Sequence, residues 1–282
     1  IWDQEGSGVE KSLIRFHLQV LHGISVKRLE KRKERLVLSG AKVFGVPLEN
    51  LPRQYLPEFG LVPCFLVDSC SSLLERVGSV GLFRKPGSLP RIKALNGGEG
   101  CLSTAPPYDV AALVKQFCRE LPEPLFPREL HAALLQAQTL PSMQDRMSAL
   151  QLLSCLLPAR SCSSLHFLFH FLSKVSQRCS ENLMTSSNLA TVFTPCLLPP
   201  PNKAEMSQVR LELRVLVLRT FIENPHLFGM EPSCQPSVSV CVLIPACSRS
   251  DSQSGDGQHG ILSEFPFSGR MLEEGKETQF ER

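Results

Sequence analysis

Between Val62 and Phe228 the apolar residues return at intervals of three and four positions, and most runs stop at a proline or glycine. That interval is the side-chain repeat of an α-helix, so each run can bury one face and leave the other in water. The first run holds Phe65, Leu66, Cys70, Leu73, Leu74 and Val77 and ends at Gly78. A short helix over 88–95 is predicted next, capped by Ser88. Asp109 stands ready to cap a longer run of Val110, Leu113, Val114, Phe117 and Leu121, which Pro122 and Pro124 stop. Further helices are predicted at about 128–138, 142–157, 162–178 and 205–223, with a shorter one at 187–193 broken at Pro195. Residues 209–218 also alternate as a strand would, but Thr220, Phe221 and Ile222 carry the run past ordinary strand length and favour helix. The expected fold is an all-α bundle over residues 43–228.

The flanks differ in character. Residues 10–22 make another amphipathic helix (Leu13, Ile14, Leu18, Leu21) closed by Gly23, and with the basic stretch after it they form an N-terminal segment, 1–42. Residues 43–60 contain Gly45, Pro47, Pro52, Pro57 and Gly60 and read as an irregular lead-in. Residues 229–282 are rich in Ser, Gly, Pro and charge and sustain no period around their apolar stretch at 238–246; a disordered tail is expected.

Charge narrows the function. The chain carries a net +3, yet residues 27–35 alone hold six basic and two acidic side chains. The remaining body is close to neutral, unlike a nucleic-acid binder with basic charge spread over its fold, so no nucleic-acid partner is expected. The basic run is a solvated helix, a nuclear-import signal or an acidic-lipid patch. Eleven cysteines without a CxxC pair, several within apolar runs, suggest packed thiols in a reducing, cytoplasmic compartment. His166 and His170 share a helical face, but Phe167, Phe169 and Phe171 around them point to packing rather than zinc, and no metal site is expected. The chain has no run of 18 uninterrupted apolar residues, so no transmembrane helix is expected either.

Three features stand out as chemistry. In Gly81-Leu82-Phe83-Arg84-Lys85-Pro86-Gly87, an apolar pair anchors the chain and a Pro-Gly turn redirects it, which leaves Arg84 at the lip of a loop. Lys115 and Arg119 lie four residues apart and project together from the face of their helix away from Val110, Leu113, Val114 and Phe117. Asn188 precedes the short helix of Leu189-Ala190-Thr191-Val192-Phe193. Taken singly these are a surface arginine, a solvated pair and a helix cap.

Together, and in this order, they resemble the Rho-family GTPase-activating (RhoGAP) domain. The matching blocks are Gly81 to Ser88, Leu113 to Leu125 and Asn182 to Pro195, within about 45–228. The resemblance implies a RhoGAP-like helical bundle, expected as a monomer, that binds a Rho-family small GTPase in its GTP form, RhoA-like partners being favoured. Arg84 is then an arginine finger supplied in trans. Lys115 and Arg119 contact the switch region, with Arg119 also supporting the finger loop, and Asn188 hydrogen-bonds across the interface. No cofactor is implied for this chain, since GTP and Mg²⁺ belong to the partner; a phosphate-loop reading of 269–277 lacks the required glycine spacing. The chain departs from the family where Val80 replaces the usual Glu, Leu183 the usual Lys, and Thr194 and Cys196 the Gly and Asn that flank the proline. Those departures motivate the alternative of a catalytically weak or inactive GTPase-binding module.

Overall fold

A computed structural model of the chain describes residues 8–29, 43–98, 100–201 and 207–228. The expected disordered tail at 229–282 and most of the basic run lie outside the described residues. Within them the fold is α-helical apart from one small hairpin, as the periodicity requires.

Helix α1 (Gly8–His22) ends where expected. Gly23 takes a left-handed φ of 65°, Ile24 N–H returns to Leu18 O at 3.0 Å, and the Ile24 side chain is buried. This is a glycine-terminated cap with its accompanying apolar contact. Ile14 and Leu18 bury one face, and α1 packs on α6. Leu13 and Leu21, expected on that face, are instead exposed, and Val9, Leu13, Phe16 and Val20 line the opposite side. α1 is therefore apolar on two faces.

The lead-in is more regular than its prolines suggested. Strands β1 (Arg53–Leu56) and β2 (Gly60–Pro63) pair antiparallel, Arg53 opposite Pro63 and Leu56 opposite Gly60. Pro57 occupies the second position of the connecting turn, closed by Phe59 N–H to Leu56 O at 3.0 Å. Helix α2 (Cys64–Leu74) consequently starts after Pro63 rather than at Val62.

Helix α3 (Leu89–Asn96) and helix α4 (Pro107–Glu120) follow, then α5 (Arg128–Gln138), α6 (Met143–Cys155), α7 (Ala159–Gln177) and the single-turn α8 (Cys179–Asn182). Helix α9 (Ser186–Leu197) runs through Pro195 instead of breaking at it. Pro195 and Thr191 are exposed, so water can serve the Thr191 carbonyl that loses its donor, while the Thr194 hydroxyl donates to Ala190 O at 2.8 Å. Helix α10 (Gln208–Glu223) settles the strand alternative. Arg214, Val217, Leu218, Phe221 and Ile222 are buried at helical spacing.

α7 touches β2, α2, α9 and α10, and α4 lies against α2 and α9. Phe126, Phe169, Phe221 and Phe228 close one end of the core, with Phe221 and Phe228 centroids 4.7 Å apart. The His166 and His170 rings pack at 4.8 and 5.2 Å from Phe59, as their aromatic neighbours suggested. Burial, with His170 adding to it, pushes the His166 imidazole down to about 4.

Candidate functional site

The loop after α2 combines a strained backbone with deep anchoring. Leu82 and Phe83 are completely buried, and the Phe83 ring packs 5.0 Å from Phe193 and 6.0 Å from Phe171. Phe83 has φ of 68°, a left-handed conformation that costs a non-glycine residue about 1–2 kcal/mol. Burying a phenylalanine contributes about 1.5–3 kcal/mol, enough to hold that geometry. The next residue, Arg84, is exposed, and its guanidinium has no hydrogen-bond or ion-pair partner among the described residues. Packing thus fixes the backbone under Arg84 and leaves its charge free.

α4 supplies the support. Val110, Ala111, Leu113, Val114, Phe117 and Cys118 bury one face, which turns Lys115 and Arg119 toward the loop and α9. Lys115 Nζ donates to Phe83 O at 2.6 Å, and Arg119 Nη1 lies 3.8 Å from Cys196 Sγ. The cation bonded to the Arg84 loop is therefore Lys115, not the Arg119 that the resemblance assigned to loop support. Burial first, and then the Arg119 charge, pull the Lys115 ammonium below its usual range. Burial raises the Cys196 thiol, with Arg119 acting in the opposite direction. A thiol is a weak acceptor, so Cys196 offers Arg119 less than an amide oxygen at that position would.

Asp109 has a larger part than the cap expected of it. α4 begins at Pro107, so Asp109 lies inside the first turn and is fully buried. Its Oδ1 accepts from Ser88 N–H at 2.7 Å and its Oδ2 from Arg91 Nε at 2.5 Å. Ser88 in turn makes no side-chain cap; its backbone N–H is what engages. A Cβ on Gly87 would meet Asp109 Oδ1 at 2.5 Å, so the close approach requires glycine there. One carboxylate thus clamps the far end of the Arg84 loop onto α4. On the near side, Tyr108 Oη donates to Val80 O at 3.0 Å.

The third support was not foreseen. Asn182 is fully buried; its Nδ2 donates to Val77 O at 3.0 Å and Val175 O at 2.9 Å, and its Oδ1 accepts from Met184 N–H at 2.8 Å. Its own carbonyl accepts from Gly81 N–H at 2.7 Å. One side chain thereby ties together the segment after α2, the end of α7 and the approach to α9, at the root of the Arg84 loop. Asn188 is not the helix cap. Thr185 Oγ1 accepts from Asn188 N–H at 3.2 Å, and the Asn188 amide donates back to Leu183 O at 3.2 Å. Nothing in hydrophobic period marks Asp109 or Asn182; the available signal was their polarity beside apolar runs.

Lys115 touches the Arg84 loop directly, while Arg119 and Asn188 bond elsewhere, to α9 and to the turn before it. Among the described residues no three His, Cys, Asp or Glu side chains group as metal ligands. Nor is any described helix long and apolar enough to cross a membrane.

The fold and this surface define an all-α domain in which an exposed arginine, without a partner among the described residues, stands beside a braced basic helix. Residues 64–202 match the RhoGAP domain family, and the chain belongs to it. Rho GTPase-activating protein 11A of Homo sapiens is 44% identical over 246 residues, which cover 82% of this chain and 24% of that protein. Rho GTPase-activating protein 6 of Mus musculus is 36% identical over 206 residues, covering 63% of this chain and 21% of that protein. The chain thus spans about a quarter of the length of these relatives. Among solved structures, human Rho GTPase activating protein 15 superposes with a TM-score of 0.59 at 26% identity, over 67% of this chain and 92% of that one.

Proposed function

We propose that this chain stimulates GTP hydrolysis by a Rho-family small GTPase, with Arg84 entering the partner's active site as an arginine finger. The observation that carries the reading is the contrast at one peptide link: Phe83 is buried and braced by Lys115, while Arg84 stands in solvent without a partner. The partner holds GTP and Mg²⁺ and orients the attacking water. Charge builds on the transferring phosphoryl group, and a guanidinium fixed beside it stabilises that charge, an effect worth roughly 10³–10⁵ in rate. Preorganisation matters because a cation that must first find its place pays ordering entropy at the transition state. The bond between Lys115 and Phe83 O and the clamp of Asp109 on Ser88 supply that order. Arg119 and Asn188 sit on the adjoining face of α4 and α9 as partner contacts.

The test is single-turnover GTP hydrolysis by RhoA-, Rac- and Cdc42-type proteins, with and without the chain, RhoA-like partners being expected to respond most. Arg84→Ala abolishes the acceleration, and Arg84→Lys restores little, since lysine keeps the charge but loses the planar fork. An Arg84→Ala variant that accelerates as well as the original chain refutes the finger. A second reading, binding to the GTP form without stimulation, draws on the thiol that Cys196 offers Arg119. Tight binding with unchanged hydrolysis would establish it.

A further inference from the structure

Near Arg84, where the two halves of the site meet, two apolar side chains are exposed between the charged Lys85 and Glu181. Gly81 N–H donates to Asn182 O at 2.7 Å, and Val80 and Leu183 are the neighbours of that bond on its two chain segments. Val80 is 42% exposed and Leu183 52%. Both backbones are fixed: the Val80 carbonyl accepts from Tyr108 Oη and the Leu183 carbonyl from Asn188 Nδ2. Two apolar side chains are thus held in water by rigid anchors at the root of the Arg84 loop.

Leu183 has the less comfortable backbone of the two. Its φ is 59°, the left-handed region where glycine or asparagine is at ease and a leucine is strained. Phe83 shares this conformation but recovers the cost by burying its ring. Leu183 leaves half of its side chain exposed and recovers less. Folding alone therefore favours Asn or Gly at this position. A leucine there gains its value when something covers it.

We propose that Val80 and Leu183 form an apolar shoulder that the partner GTPase covers as Arg84 enters its active site, and that this shoulder sets affinity and partner selectivity. The inference rests on the function proposed above and extends it. Arg84 lies three residues from Gly81, so a protein that envelops the guanidinium comes down over both flanks of the bond between Gly81 and Asn182. The occupant is the GTPase surface bordering its nucleotide. Partners with apolar side chains at that border are favoured, and partners with a charge there are penalised by burying it unpaired.

The experiment titrates the chain against a Rho-family GTPase loaded with a non-hydrolysable GTP analogue, and separately measures single-turnover hydrolysis at saturation. Leu183→Asn removes the apolar side chain yet suits the left-handed backbone, so it raises Tm while weakening Kd about tenfold. Val80→Ser weakens Kd about fivefold. Leu183→Met keeps affinity within about twofold, and so does Phe16→Ser, a change of an exposed apolar residue on the outer face of α1. The rate at saturation stays Arg84-dependent in each variant, and in Phe16→Ser it stays close to the original. The shoulder is overturned if the Val80→Ser, Leu183→Asn double variant binds within about twofold of the original chain while Arg84 still controls the rate. If the original chain neither binds nor accelerates any Rho-type GTPase, the proposed function fails first and takes the shoulder with it. A free chain that dimerises through these residues, and loses the dimer in the double variant, would assign the shoulder to self-association and overturn the GTPase assignment.

Discussion

Replacing Asn182 by alanine removes three hydrogen bonds in one step. The Val77 and Val175 carbonyls lose their amide donor, and the Met184 N–H loses its acceptor, all around a side chain with no exposure. Each such bond contributes about 0.5–1.5 kcal/mol net, and a buried group left unpaired costs about 1–3 kcal/mol. Some of the three groups will recover a water or a neighbour, so the sum is about 3–4 kcal/mol rather than the maximum. For a domain of this size that lowers Tm by about 10 °C. Urea denaturation followed by circular dichroism measures the change as a shift in midpoint with an unaltered slope. The damage should also reach function, because the bond from Gly81 N–H to Asn182 O roots the Arg84 loop on the same residue. The saturating rate of GTP hydrolysis should therefore fall about tenfold even at temperatures where the variant is folded. A loss of less than 1 kcal/mol would refute the claim that Asn182 is the knot joining these three segments.

Lys115→Met keeps the length and removes the donor to Phe83 O; it should lower the saturating rate about tenfold, read in single-turnover hydrolysis. Gly87→Ala drives a Cβ to 2.9 Å from Tyr108 O and 2.5 Å from Asp109 Oδ1, so it should cost about 1–3 kcal/mol in chemical denaturation and loosen the loop. His166 supplies a pH dependence. Its folded value of about 4 lies below the ordinary 6.5, so the unfolded chain binds the proton more readily. Stability from this group is complete above pH 6.5 and is lost as pH falls toward about 4. With the ring partly exposed and therefore partly screened, the loss is about 1–2 kcal/mol, and His166→Phe should flatten that part of the profile.

Much of the helical architecture was legible in the sequence because burial imposes a period. α5 falls where expected, at Arg128–Gln138, and α10 is a helix despite its strand-like alternation. The misreadings share a cause. Proline and glycine were read as breaks, yet Pro57 turns a hairpin and Pro195 stays within α9, because what surrounds a proline decides whether its missing N–H matters. Local preference makes Asp109 a cap, but Pro106 holds that position; of the two roles open to Asn188, the cap falls to Thr185.

The residues that carry the proposed chemistry, Arg84 among them, were found in the linear text, as was the family. Motif spacing records which side chains must exist. What holds them could only be decided in three dimensions: Lys115 reaches Phe83 O across 32 residues and Asn182 reaches Val77 O across 105. Hydrogen bonds between distant segments leave no period, since each depends on one polar atom meeting one other after the chain has closed. Local sequence therefore set Arg84 on its turn, and tertiary contacts made the turn rigid.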